Sequence, residues 1–308
     1  TQTFTITVTA VNDTPVFTKG ANQIVAEDAG AQTINGWATG ISSGAFNESQ
    51  TLVFNLVNDN NALFAVQPAV ALDGTVTFTP ATNANGTATV TVIAQDDGGT
   101  SNGGVNRATN CFIIGLTPVN NAPTLAFVSN NLVVLEDAGA QTVTSFAALS
   151  VGPANESDQT ITVRVTAGNP GLFSLQPVID IGGTLTFTPQ ADANGSSLIT
   201  VVVQDNGGTD NGGVDQSTNV FTITVTPVND PPVVSFASNS VYVANTNGAQ
   251  SYTGFATITT GPTNEASQSI TNLIVSNSRP ALFTVAPAFA ADGTLTFTPR
   301  AGASGTAT

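Results

Sequence analysis

The side chains of this sequence that could do chemistry are oxygen donors, and they return at fixed spacing. Glu27 opens the string EDAGAQ, and Glu136 opens it again 109 positions later. The triplets VND, VNN and VND end at Asp13, Asn121 and Asp230. Carboxylates, amide carbonyls and backbone carbonyls are what a hard cation such as calcium selects, in sets of six to eight oxygens. Glu48 and Asp96 could in principle form an acid–base pair. Nothing positions a nucleophile beside them, and the chain has no His, the commonest general base and transition-metal ligand. The one cysteine, Cys111, forms no internal disulfide and no Cys-rich zinc site. It lies in an apolar strand and is expected to be a small core or edge hydrophobe. An enzyme is therefore not expected.

Charge narrows the partners further. Twenty acidic residues stand against 5 basic ones, for a formal charge of -15. That field repels phosphate backbones and attracts cations, so nucleic acid is excluded as a partner. Hydrophobic residues make up 41% of the chain, enough for a buried core. No apolar run approaches the length of a membrane span, so no membrane insertion is expected of this segment. Residue 1 already lies in strand-like sequence, and no signal peptide is visible.

The elements that would position these oxygens follow a two-residue period. FTITVTAV (Phe4 to Val11) and FTITVTPV (Phe221 to Val228) place an apolar residue at every second position, as half-buried strands do. TVTFTP before Pro80 and TATVTVIA from Thr87 alternate likewise. Asp73-Gly74, Asn85-Gly86 and Asn194-Gly195 are tight-turn dipeptides between them. No 3.6-residue pattern is sustained. FTP recurs at Pro80, Pro189 and Pro299, and a Leu-Phe pair precedes it at Phe64, Phe173 and Phe283. The period of about 109 residues suits an independent small domain rather than a solenoid unit. Roughly seven short strands per repeat predict an all-β fold of tandem Greek-key β-sandwiches, arranged as an elongated rod. Predicted core positions are Phe54, Leu63, Phe64, Val76 and Phe78, then Phe173, Leu185 and Phe187, with Trp37 near a sheet edge or corner. The expected boundaries are 1–13 as the last strand of a preceding or partner repeat, 14–121 as repeat 1, 122–230 as repeat 2, and 231–308 as an incomplete repeat 3. Three short Pro-containing linkers, Val11 to Pro15, Val119 to Pro123 and Val228 to Pro232, limit bending.

The run DGTVTFTPATNANG (Asp73 to Gly86), then VIAQDDGG (Val92 to Gly99), then LTPVNNAP (Leu116 to Pro123) resembles the cadherin repeat. That family carries D-G-x-I-x-T, an L-D-R-E element, A-x-D-x-G and a closing D-x-N-D-N-x-P. The resemblance extends over all three units and is nearest to the degenerate cadherin-like repeats of large bacterial surface proteins and adhesins. It implies an Ig-like sandwich with calcium between consecutive repeats. Carried over position by position, it implies Asn12, Asp13, Glu48 and Asp96 before repeat 1. Between repeats 1 and 2 it implies Glu27, Asn83, Asn120, Asn121, Glu156 and Asp205. Between repeats 2 and 3 it implies Glu136, Asp192, Asn229, Asp230 and Glu265. The sequence departs from the family where Asn83 and Asn85 replace acidic positions and Asn121 replaces a linker Asp, so the first of the two inner junctions is expected to bind calcium more weakly than the second. Asp210 and Asp215, in the Gly-rich loop, are expected to be solvated.

The functional expectation is a non-catalytic stalk or filament element, extracellular and on a bacterial cell surface, whose partners are further copies of the repeat in cis. Two alternatives accompany it. In one, a filament forms by strand donation, residues 1–13 of one subunit completing the third repeat of its neighbour. In the other, the repeat is a module that binds carbohydrate or a partner protein.

Overall fold

Alternation of apolar and polar residues becomes alternation of buried and exposed ones along each strand. The protein is described here by a computed structural model covering every residue except Asn272 and Ile274. The first set of strands is β1 (Val16–Thr18), β2 (Gln23–Ala26), β3 (Gln32–Ile34), β4 (Thr39–Ser42), β5 (Leu52–Asn58), β6 (Phe64–Val70), β7 (Val76–Pro80), β8 (Gly86–Asp96) and β9 (Arg107–Thr117). In β8, Ala88, Val90, Val92 and Ala94 face inward and are buried, while the Thr residues between them face out. β8 pairs antiparallel with β9 from Gly86 opposite Leu116 to Gln95 opposite Arg107. β2 runs parallel to β9 and β5 antiparallel to β8, giving the sheet order β2-β9-β8-β5. A second sheet, β3-β7-β6, lies across the core, and β1 pairs with β4.

Trp37, Leu63, Phe64, Val76, Phe78, Val90, Phe112 and Ile114 fill the space between the sheets. Each such aromatic ring contributes about 2–3 kcal/mol by leaving water. Trp37 lies in the bend between β3 and β4, which belong to different sheets, and its side chain is buried: it is 4% exposed, its ring centroid is 4.4 Å from that of Phe112, and its Nε1 donates to the Ala21 carbonyl at 2.9 Å. Gly20 makes room for it, since a Cβ there would lie 2.5 Å from the Trp37 carbonyl oxygen. Phe54 is partly buried against the same core. Cys111 departs from expectation. It lies in β9, an inner strand, on the outward face, and is exposed. The inward partner at that point is its neighbour Phe112.

The second set repeats this arrangement: β10 (Thr124–Phe127), β11 (Asn131–Leu135), β12 (Gln141–Val143), β13 (Ala147–Ser150), β14 (Ile161–Ala167), β15 (Phe173–Ile179), β16 (Leu185–Pro189), β17 (Gly195–Asp205) and β18 (Gln216–Thr226). Its sheets are β11-β18-β17-β14, β12-β16-β15 and β10-β13. Phe146 takes the position of Trp37 and packs on Phe221 with ring centroids 4.7 Å apart. The third set is β19 (Val233–Phe236), β20 (Gln250–Tyr252), β21 (Ala256–Thr259), β22 (Phe283–Phe289) and β23 (Leu295–Pro299), with sheets β19-β21 and β20-β23-β22. Val241–Val243, the counterpart of β11, forms no strand. β2 and β11 each pair with the final strand of their set, and the third set has no such strand among the described residues. The fold is thus all-β, with the same Greek-key sandwich pattern recurring along the chain.

Residues 1–15 also form no strand. Phe4, Ile6 and Val8 are 84%, 75% and 89% exposed, although Phe4–Thr9 is identical in sequence to Phe221–Thr226. An alternating segment becomes a strand only when a partner backbone takes its hydrogen bonds. The chain divides into two compact units, one of Thr1–Thr124, Ser150–Thr162 and Val203–Ser217, the other of Leu125–Leu149, Val163–Val202 and Thr218–Thr308. The division passes through the second set of strands.

Candidate cation site

Two buried glutamates anchor the inner linkers. Glu27 follows β2 and is 2% exposed; Glu136 follows β11 and is 1% exposed. Their backbone N–H groups extend the parallel pairing by donating to Thr117 and Thr226, each at 2.9 Å. A charge so placed must be surrounded by donors. Glu27 accepts from the Val119 N–H at 3.0 Å, from Asn85 Nδ2 at 3.1 Å and from Asn155 Nδ2 at 3.4 Å. Glu136 accepts from the Val228 N–H at 2.8 Å, from Asn194 Nδ2 at 3.2 Å and from Asn264 Nδ2 at 3.1 Å.

A second clamp holds the other end of each linker. Glu156 and Glu265 end single 3-10 turns, Ala154–Glu156 and Thr263–Glu265, each entered from an extended proline. Glu156 Oε1 accepts from the Asn121 N–H at 2.7 Å, and Glu265 Oε1 from the Asp230 N–H at 2.8 Å. Glu48 does the same for the Asp13 N–H at 2.8 Å. Behind each glutamate lies a glycine with φ near +145°: Gly44, Gly152 and Gly261. A Cβ on these would come within 1.8, 2.2 and 2.3 Å of the respective Oε2 atoms. Asn12 donates to Asp96 at 3.0 Å and Asn120 to Asp205 at 2.9 Å. Both acceptors are buried, and both also take a glycine N–H at 2.9 Å.

The two inner linkers differ at their centre. At the second, Asp137, Asp192 and Asp230 each bring a carboxylate oxygen within 4.8 Å of the others. Asp230 Oδ2, Asn264 Oδ1 and Glu265 Oε2 are buried there without a hydrogen-bond donor. Burial pushes the Asp230 carboxyl above its ordinary value, and the charges of Asp137, Asp192, Glu265 and Glu136 push it further in the same direction. At the first linker the corresponding residues are Asp28, Asn83 and Asn121. Asn121 Nδ2 donates to Asn83 Oδ1 at 3.1 Å, and Asp28 accepts the Asn83 N–H at 3.0 Å.

The donor set at the second linker suits a hard divalent cation: oxygen atoms only, mutually repelling, some buried and lacking partners. The residues that would hold it are Glu136, Asp137, Asp192, Asp230 and Glu265. Asn229 stands apart, exposed, with its amide donating only to the Asp230 carbonyl at 3.1 Å. Asn12, Asp13, Glu48 and Asp96 are brought together in pairs, as are Asn120 with Asp205 and Asn121 with Glu156. Sequence reasoning passed over Asp137, Asn155 and Asn264. Each had a signal: Asp137 follows Glu136 in the repeated EDAGAQ, and Asn155 and Asn264 precede Glu156 and Glu265 in a repeated Asn-Glu pair.

No protein-family model matches the chain, and no curated protein sequence matches it. Among solved structures it is similar to the protocadherin GammaB4 extracellular domain, at 19% identity and a TM-score of 0.48, over 96% of this chain and 45% of that one. It is similar to the human desmocollin-1 ectodomain at 14% identity and a TM-score of 0.36, over 94% of this chain and 55% of that one. Chicken VE-cadherin EC1-2 matches at 18% identity and a TM-score of 0.30, over 71% of this chain and 100% of that one.

Proposed function

We propose that the chain is a non-catalytic extracellular segment of a surface protein, built from three sandwich repeats over 14–121, 122–230 and 231–308, with a structural or adhesive role. In this reading the second linker binds calcium, and bound calcium stiffens the connection between repeats. The observation that carries the reading is the group of Asp137, Asp192 and Asp230 beside the 5% exposed Glu265, whose Oε2 has no hydrogen-bond partner. Carboxylates this close repel one another in the absence of a cation. Extracellular calcium, on the order of millimolar, fills sites of modest affinity of this kind. Among the described residues no helix is long and apolar enough to cross a membrane. The repeats act on one another in cis, and a bacterial cell surface is the setting that fits the sequence resemblance.

The test is thermal unfolding of the whole chain with excess calcium and with chelator. A ligand at about 100 times its Kd stabilises the folded state by about 2.7 kcal/mol, so the melting temperature rises by several degrees. An Asp192→Asn, Asp230→Asn double variant is expected to show no calcium-dependent shift. An identical melting curve for the unsubstituted protein in calcium and in chelator would refute the reading.

A further inference from the structure

The two inner linkers present the same frame with opposite chemistry at its centre. Each has a buried glutamate capped by a linker N–H, a side-chain amide from its own repeat and an asparagine from the next: Val119, Asn85 and Asn155 on Glu27, and Val228, Asn194 and Asn264 on Glu136. Each also has a second glutamate clamping the linker backbone. Within that frame the second linker carries Asp192 and Asp230, and the first carries Asn83 and Asn121.

We propose that the first linker is closed without a metal ion, Asn83 and Asn121 acting as a permanent neutral substitute for the cation that the second linker requires. The inference rests on the calcium reading of the second linker and adds that the first does not share it. Its basis is the direct Asn121 Nδ2 to Asn83 Oδ1 hydrogen bond of 3.1 Å, which closes the space between the two side chains. An ionised carboxylate pair in the same positions cannot make this bond, because neither oxygen donates, and an intervening cation would relieve its repulsion. Of the three central positions at the first linker, the one that is still an acid, Asp28, accepts the Asn83 N–H. The counterpart contact at the second linker, Asp192 N–H to Asp137, is longer at 3.3 Å. The central positions also differ in one buried atom. Asp230 Oδ2 is buried and without a donor, whereas the amide that replaces it, Asn121 Nδ2, has its acceptor. Glu156 Oε2 is unpartnered at the first linker as Glu265 Oε2 is at the second, so it does not distinguish them. The chain therefore joins a constitutively fixed connection to one that stiffens with calcium.

Hydrogen–deuterium exchange on the intact, unsubstituted chain, in millimolar calcium and in chelator, reads each linker separately through its own peptides. The expected result is that chelation speeds exchange of the Val228 and Asp230 amides by at least about tenfold, while that of Val119 and Asn121 changes by less than about twofold. An Asn83→Asp, Asn121→Asp double variant is expected to make the first linker respond as the second does. Asp192→Asn, Asp230→Asn is expected to make the second as indifferent as the first. If both linkers of the unsubstituted chain respond equally, this inference is overturned while the calcium reading stands. If neither responds, the calcium reading itself fails and the contrast falls with it.

Discussion

A carboxylate excluded from water remains charged only while donors surround it, so the most consequential residues here are those whose removal strands several donors at once. Glu27 is one. Replacing it with Ala leaves the Val119 N–H and the amides of Asn85 and Asn155 without their acceptor. The expected loss is about 1–3 kcal/mol in a urea titration, with Glu27→Gln losing less because its carbonyl still accepts. Part of this was legible before any coordinates. The recurrence of Glu27 and Glu136 marked them as candidates, and the structure buries both at the ends of β2 and β11, each accepting the N–H of a linker valine. Asp137 was not legible, because a residue adjacent to a buried glutamate normally points the other way. The left-handed backbone at Asp137, with φ of 64°, is what turns its side chain toward Asp192 and Asp230.

At the scale of elements, turn chemistry was the most readable feature. Asp73-Gly74 closes the β6–β7 turn, and Asp73 accepts the Thr75 N–H at 2.9 Å. Asp292 accepts the Thr294 N–H at 2.9 Å in the corresponding turn between β22 and β23. These backbone bonds hold both carboxyls below the ordinary aspartate value, with a smaller contribution in the same direction from the Thr hydroxyls. A lowered value means that the ionised form is favoured by folding. The stabilisation is present above the unfolded-state value, about 3.9, and is lost as pH falls through the lower folded value. An NMR titration of the side-chain carboxyls is expected to find Asp73 and Asp292 protonating at lower pH than aspartate in the unfolded chain. Asp73→Ala should speed amide exchange at Thr75. Strand pairing was less legible than strand content. Alternation gives the buried face but not the partner, and the parallel placement of β2 against β9 depends on residues some 90 positions apart.

At the scale of the whole molecule, the hexapeptide FTITVT shows why strand formation is not a local property. At Phe221–Thr226 it is an inner strand with Phe221, Ile223 and Val225 at most 1% exposed. At Phe4–Thr9 the same residues are exposed and unpaired. Periodicity predicted a strand in both places, and only the presence of neighbours separates them. Phe221→Ala is expected to cost about 3–5 kcal/mol in denaturant unfolding, and Phe4→Ala close to nothing. Trp37 illustrates the same point in the opposite direction. It was expected near a sheet edge or corner; it sits in the bend between β3 and β4 and packs inward where the second set has Phe146, with its indole N–H satisfied by a loop carbonyl.

The glycines behind the clamping glutamates reach beyond this one chain. Gly44 and Glu48, Gly152 and Glu156, and Gly261 and Glu265 keep the same four-residue interval, and in each the missing methyl group is what admits the acid's second oxygen. The interval therefore works as a spelling rule. In any further copy of this module, an alanine or larger residue at the first letter announces that the acid at the fifth has turned away, and that this mooring of the linker backbone has been let go.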